Sequence, residues 1–351
     1  MGTHSSFLLQ VLAHATFVQP WCDMKCTDNL ALTPHPCCMA IFFGHRTAEH
    51  LLNSAGALGF RPSDETPDRC GFVDSHALAS IDWTMFELPA NEPLDIVIPS
   101  RNARSRRKEF ACHLGTSDLP HGAYLEMIPD VFVASPALCL LQRCSDLTYA
   151  GRIKLVARFC GTYAPSKRSP RGFINRAPLA TPEELRSFIN LAPPMRGSKL
   201  ALQAIDLALP NAASPMETEM VMPFYLPWQR GGFNLPRPTM NYEITLSERG
   251  RAMAGKEIVK VDAYWKDAGF GFEYQSELFH EGDEHYGDDI GRQLAIESMG
   301  KTIRMVTIAQ LRNPAQLEYL AELVARHLGV ELHPGRGKPA RQGLVRDILS
   351  D

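Results

Sequence analysis

The chain has 351 residues, of which 45% are hydrophobic and 21% are charged, and this is an ordinary globular composition. The length is sufficient for two or three domains with a sizeable core. The net charge of -3 excludes a chain that is basic throughout, so any contact with nucleic acid must come from a local basic patch.

The nine cysteines stand at irregular spacings. Such a pattern argues against a secreted disulfide framework and favours reduced thiols, so we expect a cytoplasmic protein. No apolar run approaches the ~20 residues of a membrane span, and no membrane partner is expected. Four cysteines and one histidine lie within residues 22–38, but their spacing matches no standard zinc pattern, which makes zinc a minority interpretation. They are Cys22, Cys26, His35, Cys37 and Cys38.

The first half of the chain predicts an irregular arm followed by an α+β module. Residues 1–40 show no period and are broken by prolines, which is typical of a poorly packed arm. A short helical pattern from His45, two β-branched runs and a Ser-Pro helix start at Ser135 follow. We therefore predict an α+β module over residues 41–150.

A basic run follows the predicted strand Leu94–Pro99. It is equally compatible with a solvated loop and with a loop that contacts phosphates. If it contacts phosphates, its nucleic-acid-binding residues are Arg101, Arg104, Arg106, Arg107 and Lys108.

The second half predicts a helical connector over residues 151–210, a domain over 211–330 and a basic flexible tail over 331–351. A Ser-Pro signal at Ser214 starts a helix that carries Glu217. Alternating apolar residues predict the strands that come next. The predicted order is helix, three strands (240–246, 258–264, 270–275), helix (283–299), strand (303–308) and helix (to 328).

Acidic residues stand in two consecutive predicted strands of this domain. Asp262 lies in the second strand, and a Glu-x-Gln pattern places Glu273 and Gln275 in the third. Two carboxylates on adjacent strands can hold a divalent cation over a phosphodiester. This arrangement predicts a metal-dependent nuclease core.

This element order and these acids resemble the PD-(D/E)XK nuclease superfamily, and more closely its branch related to the very-short-patch repair endonuclease, which is found in many bacterial proteins. That branch carries an acid in its first helix and a Leu-Pro-Arg-Pro turn before its first strand, found here at residues 235–238. Its third strand is followed by a histidine and by a helix with Asp and Arg. The matching residues are Glu217, Asp262, Glu273, Gln275, His280, Asp289 and Arg292.

The resemblance implies a restriction-endonuclease-like α-β-β-β-α-β domain within an α/β protein. It implies an endonuclease that hydrolyses DNA in phage defence or repair, with Mg²⁺, or alternatively Mn²⁺, held by Asp262 and Glu273. Gln275 would complete the shell through its side-chain carbonyl or the neighbouring backbone. His280 would shuttle a proton or bind phosphate, and Arg292 would neutralise phosphate.

Position 275 departs from the superfamily pattern, because Gln stands where the superfamily has Lys and where this branch often has Asp. Residues 94–147 in turn resemble the middle region of proteins related to abortive-infection type IV antitoxins. These features favour a second hypothesis, a non-catalytic DNA-binding regulator with a decayed nuclease fold and a partner toxin. The third hypothesis is a protein–protein module in phage defence without nucleic-acid contact.

Three of these site residues, Asp262, Glu273 and His280, also have a purely structural interpretation. Asp262 would form a surface pair with Lys260 or Lys266. Glu273 would pair with Arg292, and His280 would be an ordinary surface residue. The nuclease interpretation therefore depends on the combination of these residues in the expected order of elements.

Overall fold

The computed structural model describes residues 40–54, 57, 59–67, 86, 88, 92–275, 284–333 and 335–350, without the side chains of 284–290. The fold is α/β, as the sequence predicts, with eleven helices and twelve strands in the described part. The chain forms two compact units: Met1–Asp146, Pro165–Ile174 and Glu183–Leu202 make the first, and Leu147–Ala164, Asn175–Pro182 and Gln203–Asp351 the second. None of the described helices combines the length and the apolar character that a membrane crossing requires.

The first unit is built on a mixed six-stranded sheet of order β2-β5-β6-β1-β3-β4. β3 and β4 run parallel, as do β1 and β6, whereas β1 and β3 are antiparallel. All residues of β1, β3 and β6 are buried, so these strands form the core of the sheet. The elements are β1 (Ile41–Phe43), α1 (His45–Leu52), β2 (Arg61–Ser63), β3 (Leu94–Ile98), β4 (Phe110–Leu114), β5 (Tyr124–Ile128), β6 (Val131–Ala134) and α2 (Pro136–Arg143).

The chain between the two large sheets is largely helical. The predicted Ser cap at Ser135 is present on α2, where its hydroxyl accepts from the Leu138 amide. The segment 167–176 is basic and rich in Pro and Gly, which predicts a linker, and it contains a short strand, β8. The elements here are α3 (Tyr149–Phe159), β7 (Tyr163–Pro165), β8 (Phe173–Asn175), α4 (Pro182–Leu191) and α5 (Ser198–Leu207).

The second unit is built on a four-stranded sheet of order β12-β11-β10-β9. β9, β10 and β11 are antiparallel neighbours, and β12 runs parallel to β11. The predicted order of helix, three strands, helix, strand and helix is confirmed, with two additional helices: α7 between the first two strands and α9 before the last predicted helix. The elements are α6 (Pro215–Tyr225), β9 (Thr239–Thr245), α7 (Glu248–Ala254), β10 (Ile258–Trp265), β11 (Phe270–Tyr274), α8 (Glu284–Glu297), β12 (Thr302–Val306), α9 (Ile308–Arg312), α10 (Pro314–Leu328) and α11 (Lys338–Ile348).

A tight turn fixes how β10 pairs with β11. A 3₁₀ turn at Lys266–Ala268 ends at Gly269, whose φ of +59° lies in the left-handed region that glycine adopts without strain. The turn sets Trp265 opposite Phe270 and Ala263 opposite Phe272. One face of the sheet packs on α8 through a core of Ile244, Leu246, Val259, Val261, Tyr264, Ala295 and Ile296.

The predicted flexible tail is wrong from Lys338 onward, because α11 occupies that segment. Leu344, Val345 and Ile348 are buried. They form an apolar stripe at helical spacing that anchors the helix. Glycine, proline and charged residues dilute this stripe in the sequence, and the composition therefore suggested a mobile tail. The predicted arm 1–40 lies outside the described residues, apart from residue 40.

Candidate functional site

Helix α6 carries Glu217 in its first turn. The Ser214 hydroxyl accepts from the Glu217 amide at 3.2 Å, and Pro215 occupies the first helical position, as the sequence predicts. The Glu217 side chain is buried. Its Oε2 accepts hydrogen bonds from the Ala213 amide at 2.7 Å and from the Asn241 side chain at 2.6 Å. The carboxylate is therefore held in one orientation.

Asn241 connects helix α6 to the sheet. Its side-chain amide donates to Glu217 and also to the carbonyl of Asn211 at 2.8 Å. Its backbone has a φ of +49°, a left-handed conformation that Asn tolerates better than most residues. The hydrogen bonds to two separate segments fix this conformation.

Three polar residues form a row across the sheet. The pairs Val261–Tyr242 and Ala263–Met240 flank Asp262, so their register sets Asp262 opposite Asn241 on β9. Continuing the β10–β11 register by one residue sets Asp262 opposite Glu273. Residues directly opposite on antiparallel strands share a face of the sheet, with Cβ atoms roughly 5 Å apart. The Asp262 Oδ2 also accepts from the Tyr274 amide at 2.8 Å.

The carboxylates of Glu217 and Asp262 influence each other. Burial, and then the negative charge of Asp262, raise the pKa of Glu217 to about 7. Burial also raises the pKa of Asp262, while the Tyr274 amide and the positive charge of Arg292 act in the opposite direction. Two like charges in a buried environment disfavour simultaneous ionisation, so the site accommodates a proton or a cation near neutral pH.

Arg292, on α8, reaches the end of this row. Its Nη2 donates to the Glu273 carboxylate and to the Lys260 carbonyl. Glu273 is buried, and the Arg292 side chain is 26% exposed. The structural interpretation of Glu273 as a partner of Arg292 is therefore confirmed. The pair lines a cavity of about 290 Å³, together with Gln293, Ile296, Ile303, Arg304 and Met305.

The structure describes only part of the remaining predicted site. Gln275 follows the end of β11 and is exposed. Its backbone N–H donates to the Val306 carbonyl at 2.9 Å. His280 and the side chain of Asp289 lie outside the description. The structure thus brings together Glu217, Asp262, Glu273 and Arg292, and the roles predicted for Gln275 and His280 stay predictions.

These acids fit a divalent cation in part. Among the residues that the structure describes, no group of three or more His, Cys, Asp or Glu side chains is arranged to hold a metal ion. The Glu217–Asp262 pair nevertheless offers hard oxygen donors in a site where their charges repel, which suits Mg²⁺ or Mn²⁺. Glu273 would contribute only after Arg292 had moved away from it. The five residues considered for zinc lie outside the described residues.

The basic run predicted to bind nucleic acid forms the connection between β3 and β4. A single 3₁₀ turn covers Arg101–Ala103, and the Ser105 hydroxyl accepts from the Arg107 amide. All five cationic side chains are exposed, and none forms an ion pair with a described residue: Arg101, Arg104, Arg106, Arg107 and Lys108. Their charges are therefore accessible to an anionic partner.

A second polar cluster, in the first unit, was missed by the sequence analysis. Asp95 is buried in β3, and its Oδ1 lies 2.7 Å from Nε2 of His113 on β4. The His45 ring stacks on His113 with ring centres 3.7 Å apart, and the Arg46 Nε lies 3.4 Å from the Asp95 Oδ2. The signal available in the sequence was a single acid inside an apolar strand.

His45 is held in an unusual conformation. Its φ is +50°, its amide donates to the Gln142 Oε1 at 2.8 Å, and its carbonyl accepts from the Cys139 thiol at 3.7 Å. Burial and the neighbouring His113 lower the pKa of His45 to about 4, so the imidazole is neutral at physiological pH. The surrounding contacts maintain the conformational strain, which is a feature found frequently at functional sites.

Comparison with known proteins gives no assignment: no family model matches the chain, and neither the curated proteins nor the solved structures contain a significant match.

Proposed function

We propose that the second unit is a divalent-metal-dependent endonuclease that hydrolyses phosphodiester bonds of DNA. The observation that supports this proposal best is the carboxylate cluster on the four-stranded sheet. The row Asn241–Asp262–Glu273 crosses β9, β10 and β11, and Glu217 joins it from α6 through Asn241. Hard anionic donors gathered on one sheet face are what Mg²⁺ requires.

Glu217 and Asp262 would hold the cation, and Glu273 is the third donor once Arg292 releases it. The bound cation would lower the pKa of a water molecule and neutralise charge on the phosphate. Without a cation the pKa of Glu217 is raised to about 7, and a bound cation would favour its ionised form. The guanidinium of Arg292 is suited to bind a phosphate oxygen with two donors.

The experiment is cleavage of supercoiled plasmid and of single-stranded DNA with Mg²⁺ or Mn²⁺. We expect the wild type to cut, and Asp262→Asn and Glu217→Gln each to reduce the rate at least about a hundredfold, as expected for the loss of a ligand that positions the cation. Asp267→Asn is the matched control, because this exposed carboxylate lies in the turn between β10 and β11. Equal rates for all variants would contradict the proposal.

The second candidate function is a non-catalytic DNA-binding regulator. Two specific observations favour it. Arg292 forms an ion pair with Glu273, which a metal ion would have to displace, and Gln275 supplies no charge. This hypothesis expects no cleavage with either cation and a gel shift that survives Asp262→Asn. It also expects binding to weaken when Arg104, Arg106 and Arg107 are neutralised. A partner toxin belongs to this second hypothesis.

A further inference from the structure

A second cavity lies in the second unit, among α9, the first turns of α10 and the helix α11. Its volume is about 650 Å³. This size falls within the roughly 300–1,000 Å³ that is typical of sites for small ligands. Its apolar lining comes from Leu311, Leu317, Val345 and Leu349, of which the first three are buried. The cavity therefore offers an apolar surface that a ligand of small-molecule size could cover.

The polar lining of this cavity is strongly cationic. The lining includes one carboxylate, Glu318, and four basic residues: Arg312, Lys338, Arg341 and Arg346. Glu318 lies 3.4 Å from both Lys338 Nζ and Arg341 Nη1. Arg312 and Arg346 are exposed and form no ion pair with a described residue. The lining thus carries three positive charges in excess, and two of its guanidinium groups are accessible.

The cationic side of the cavity includes a fixed, buried arginine. Arg341 donates to the Gly231 carbonyl at 3.1 Å and to the Arg336 carbonyl at 3.0 Å. Its guanidinium also lies 3.8 Å from the centre of the Phe233 ring. These contacts hold Arg341 in place, so the positive field exists before any ligand arrives.

Helix α11 is anchored at its far end as well. The Asp347 carboxylate accepts from the Ala150 amide at 3.0 Å. Lys154 donates to the carbonyls of Ile348 and Ser350 at 2.7 and 2.6 Å and pairs with Glu219. The wall that α11 provides is consequently tied to α3, and the cavity is preformed.

We propose that this cavity binds a small amphipathic anion, whose apolar body lies against Leu317, Val345 and Leu349 and whose carboxylate or phosphate contacts Arg312 and Arg346. Nucleic acid does not suit these apolar walls, and a purely apolar ligand would leave the cationic groups without a partner. An anionic group and an apolar body in one small molecule satisfy both parts of the lining.

The test is calorimetric titration of the full chain with four probes. Decanoate and decyl phosphate carry the apolar body with an anionic group, decanol carries the body alone, and inorganic phosphate carries the anion alone. We expect one molecule of decanoate or decyl phosphate to bind per chain. Decanol should bind at least about tenfold more weakly, since charge-assisted hydrogen bonds contribute at least that factor. Whichever of the two anions binds more tightly shows whether the cavity prefers a carboxylate or a phosphate.

Substitutions locate the binding site. Arg346→Glu and Arg312→Gln should each weaken the tighter anion about tenfold, and Leu349→Trp should weaken it by filling the cavity. Arg326→Glu is the matched control, because Arg326 is exposed on α10 and does not line the cavity. Circular dichroism of each variant confirms that it is folded. Absence of saturable binding, equal binding of decanol, or an equal effect of Arg326→Glu would overturn the proposal.

Discussion

Arg292 donates a hydrogen bond to the carboxylate of Glu273, the residue that stands opposite Asp262 across β10 and β11. The same guanidinium is fixed by the Lys260 carbonyl, and its positive charge partly opposes the rise that burial causes in the pKa of Asp262. Arg292 therefore supplies positive charge where the proposed cation would supply it. A metal ion and Arg292 should compete for Glu273.

The first prediction concerns this ion pair. Arg292→Met leaves Glu273 buried without its cationic partner, which costs about 3–5 kcal/mol for a fully buried pair. Because Arg292 is 26% exposed, we expect a smaller loss, of about 2 kcal/mol, in the free energy of unfolding. Urea unfolding measures it, and Arg304→Met, on the exposed side of β12, is the control.

A double-mutant cycle separates the pair from its surroundings. Glu273→Gln combined with Arg292→Met should cost less than the sum of the single changes, because both remove the same interaction. If the two costs simply add, the residues do not interact energetically and the competition with a metal ion has no basis.

The second prediction is a pH dependence that originates in Glu217. Its folded pKa of about 7 lies above the ordinary value of 4.5 for a glutamate, so the folded state binds more protons than the unfolded state between these values. Stability should therefore fall as pH rises from about 4.5 to 7, by at most about 3 kcal/mol. Glu217→Gln should remove this slope and be more stable than the wild type at pH 8. Unfolding curves at pH 5, 6, 7 and 8 measure both effects.

The third prediction identifies the source of that pKa. Asp262→Asn removes the negative charge that ranks second to burial in raising the pKa of Glu217. The pKa should fall, and the loss of stability with rising pH should end at a lower pH. Millimolar Mg²⁺ should act in the same direction on the wild type, since a bound cation favours both ionised carboxylates. If Mg²⁺ leaves the pH profile unchanged, no cation binds at Glu217.

Sequence patterns identify the elements of this site and suggest the Glu273–Arg292 pair, but they do not indicate the contacts that Asn241 makes. Ser214 and Pro215 predicted the start of α6 and hence the place of Glu217, because capping is a local property. The role of Asn241 depends on a left-handed backbone and on two distant acceptors, which no local pattern contains. The sequence analysis does not predict helix α7, whose seven residues make only about two turns between two strands.

The cluster in the first unit shows the same limit. Asp95 and His113 belong to strands whose pairing is parallel, and the sequence does not contain that register. His45 joins them only because β1 lies beside β3 in the sheet. Patterns along the chain therefore predict β3 and the helix from His45 but not β4, and the constellation arises from the order of strands in the sheet.

The fourth prediction concerns His45. Its folded pKa of about 4 lies below the ordinary value of 6.5 for a histidine, so the unfolded state binds more protons between these values. The first unit should lose stability as pH falls from about 6.5 to 4, by about 2 kcal/mol given the partial exposure of the ring. His113 and Arg143 oppose the charging of His45, and Asp95 and Asp146 favour it.

His45→Asn tests this assignment, because Asn tolerates the left-handed backbone and does not titrate in this range. The variant should lack the loss between pH 6.5 and 4. His121→Asn, which changes a largely exposed histidine of the same unit, should keep it. Imidazole resonances of His45 that titrate near 6.5 would show that the ring is not desolvated.

The fifth prediction concerns the exposed basic connection between β3 and β4. Each phosphate contact by Lys or Arg releases counterions, and the logarithm of the affinity for duplex DNA falls with the logarithm of the salt concentration by about 0.9 per contact. Arg106→Ala with Arg107→Ala should lower this slope by about 2 and weaken binding about tenfold at low salt, for any DNA sequence.

The matched control is Arg196→Ala with Lys199→Ala, which removes two exposed charges elsewhere in the first unit. Fluorescence anisotropy of a labelled duplex at several salt concentrations gives the slope. Equal slopes for the two double variants would mean that net charge alone attracts DNA and that this connection makes no phosphate contact.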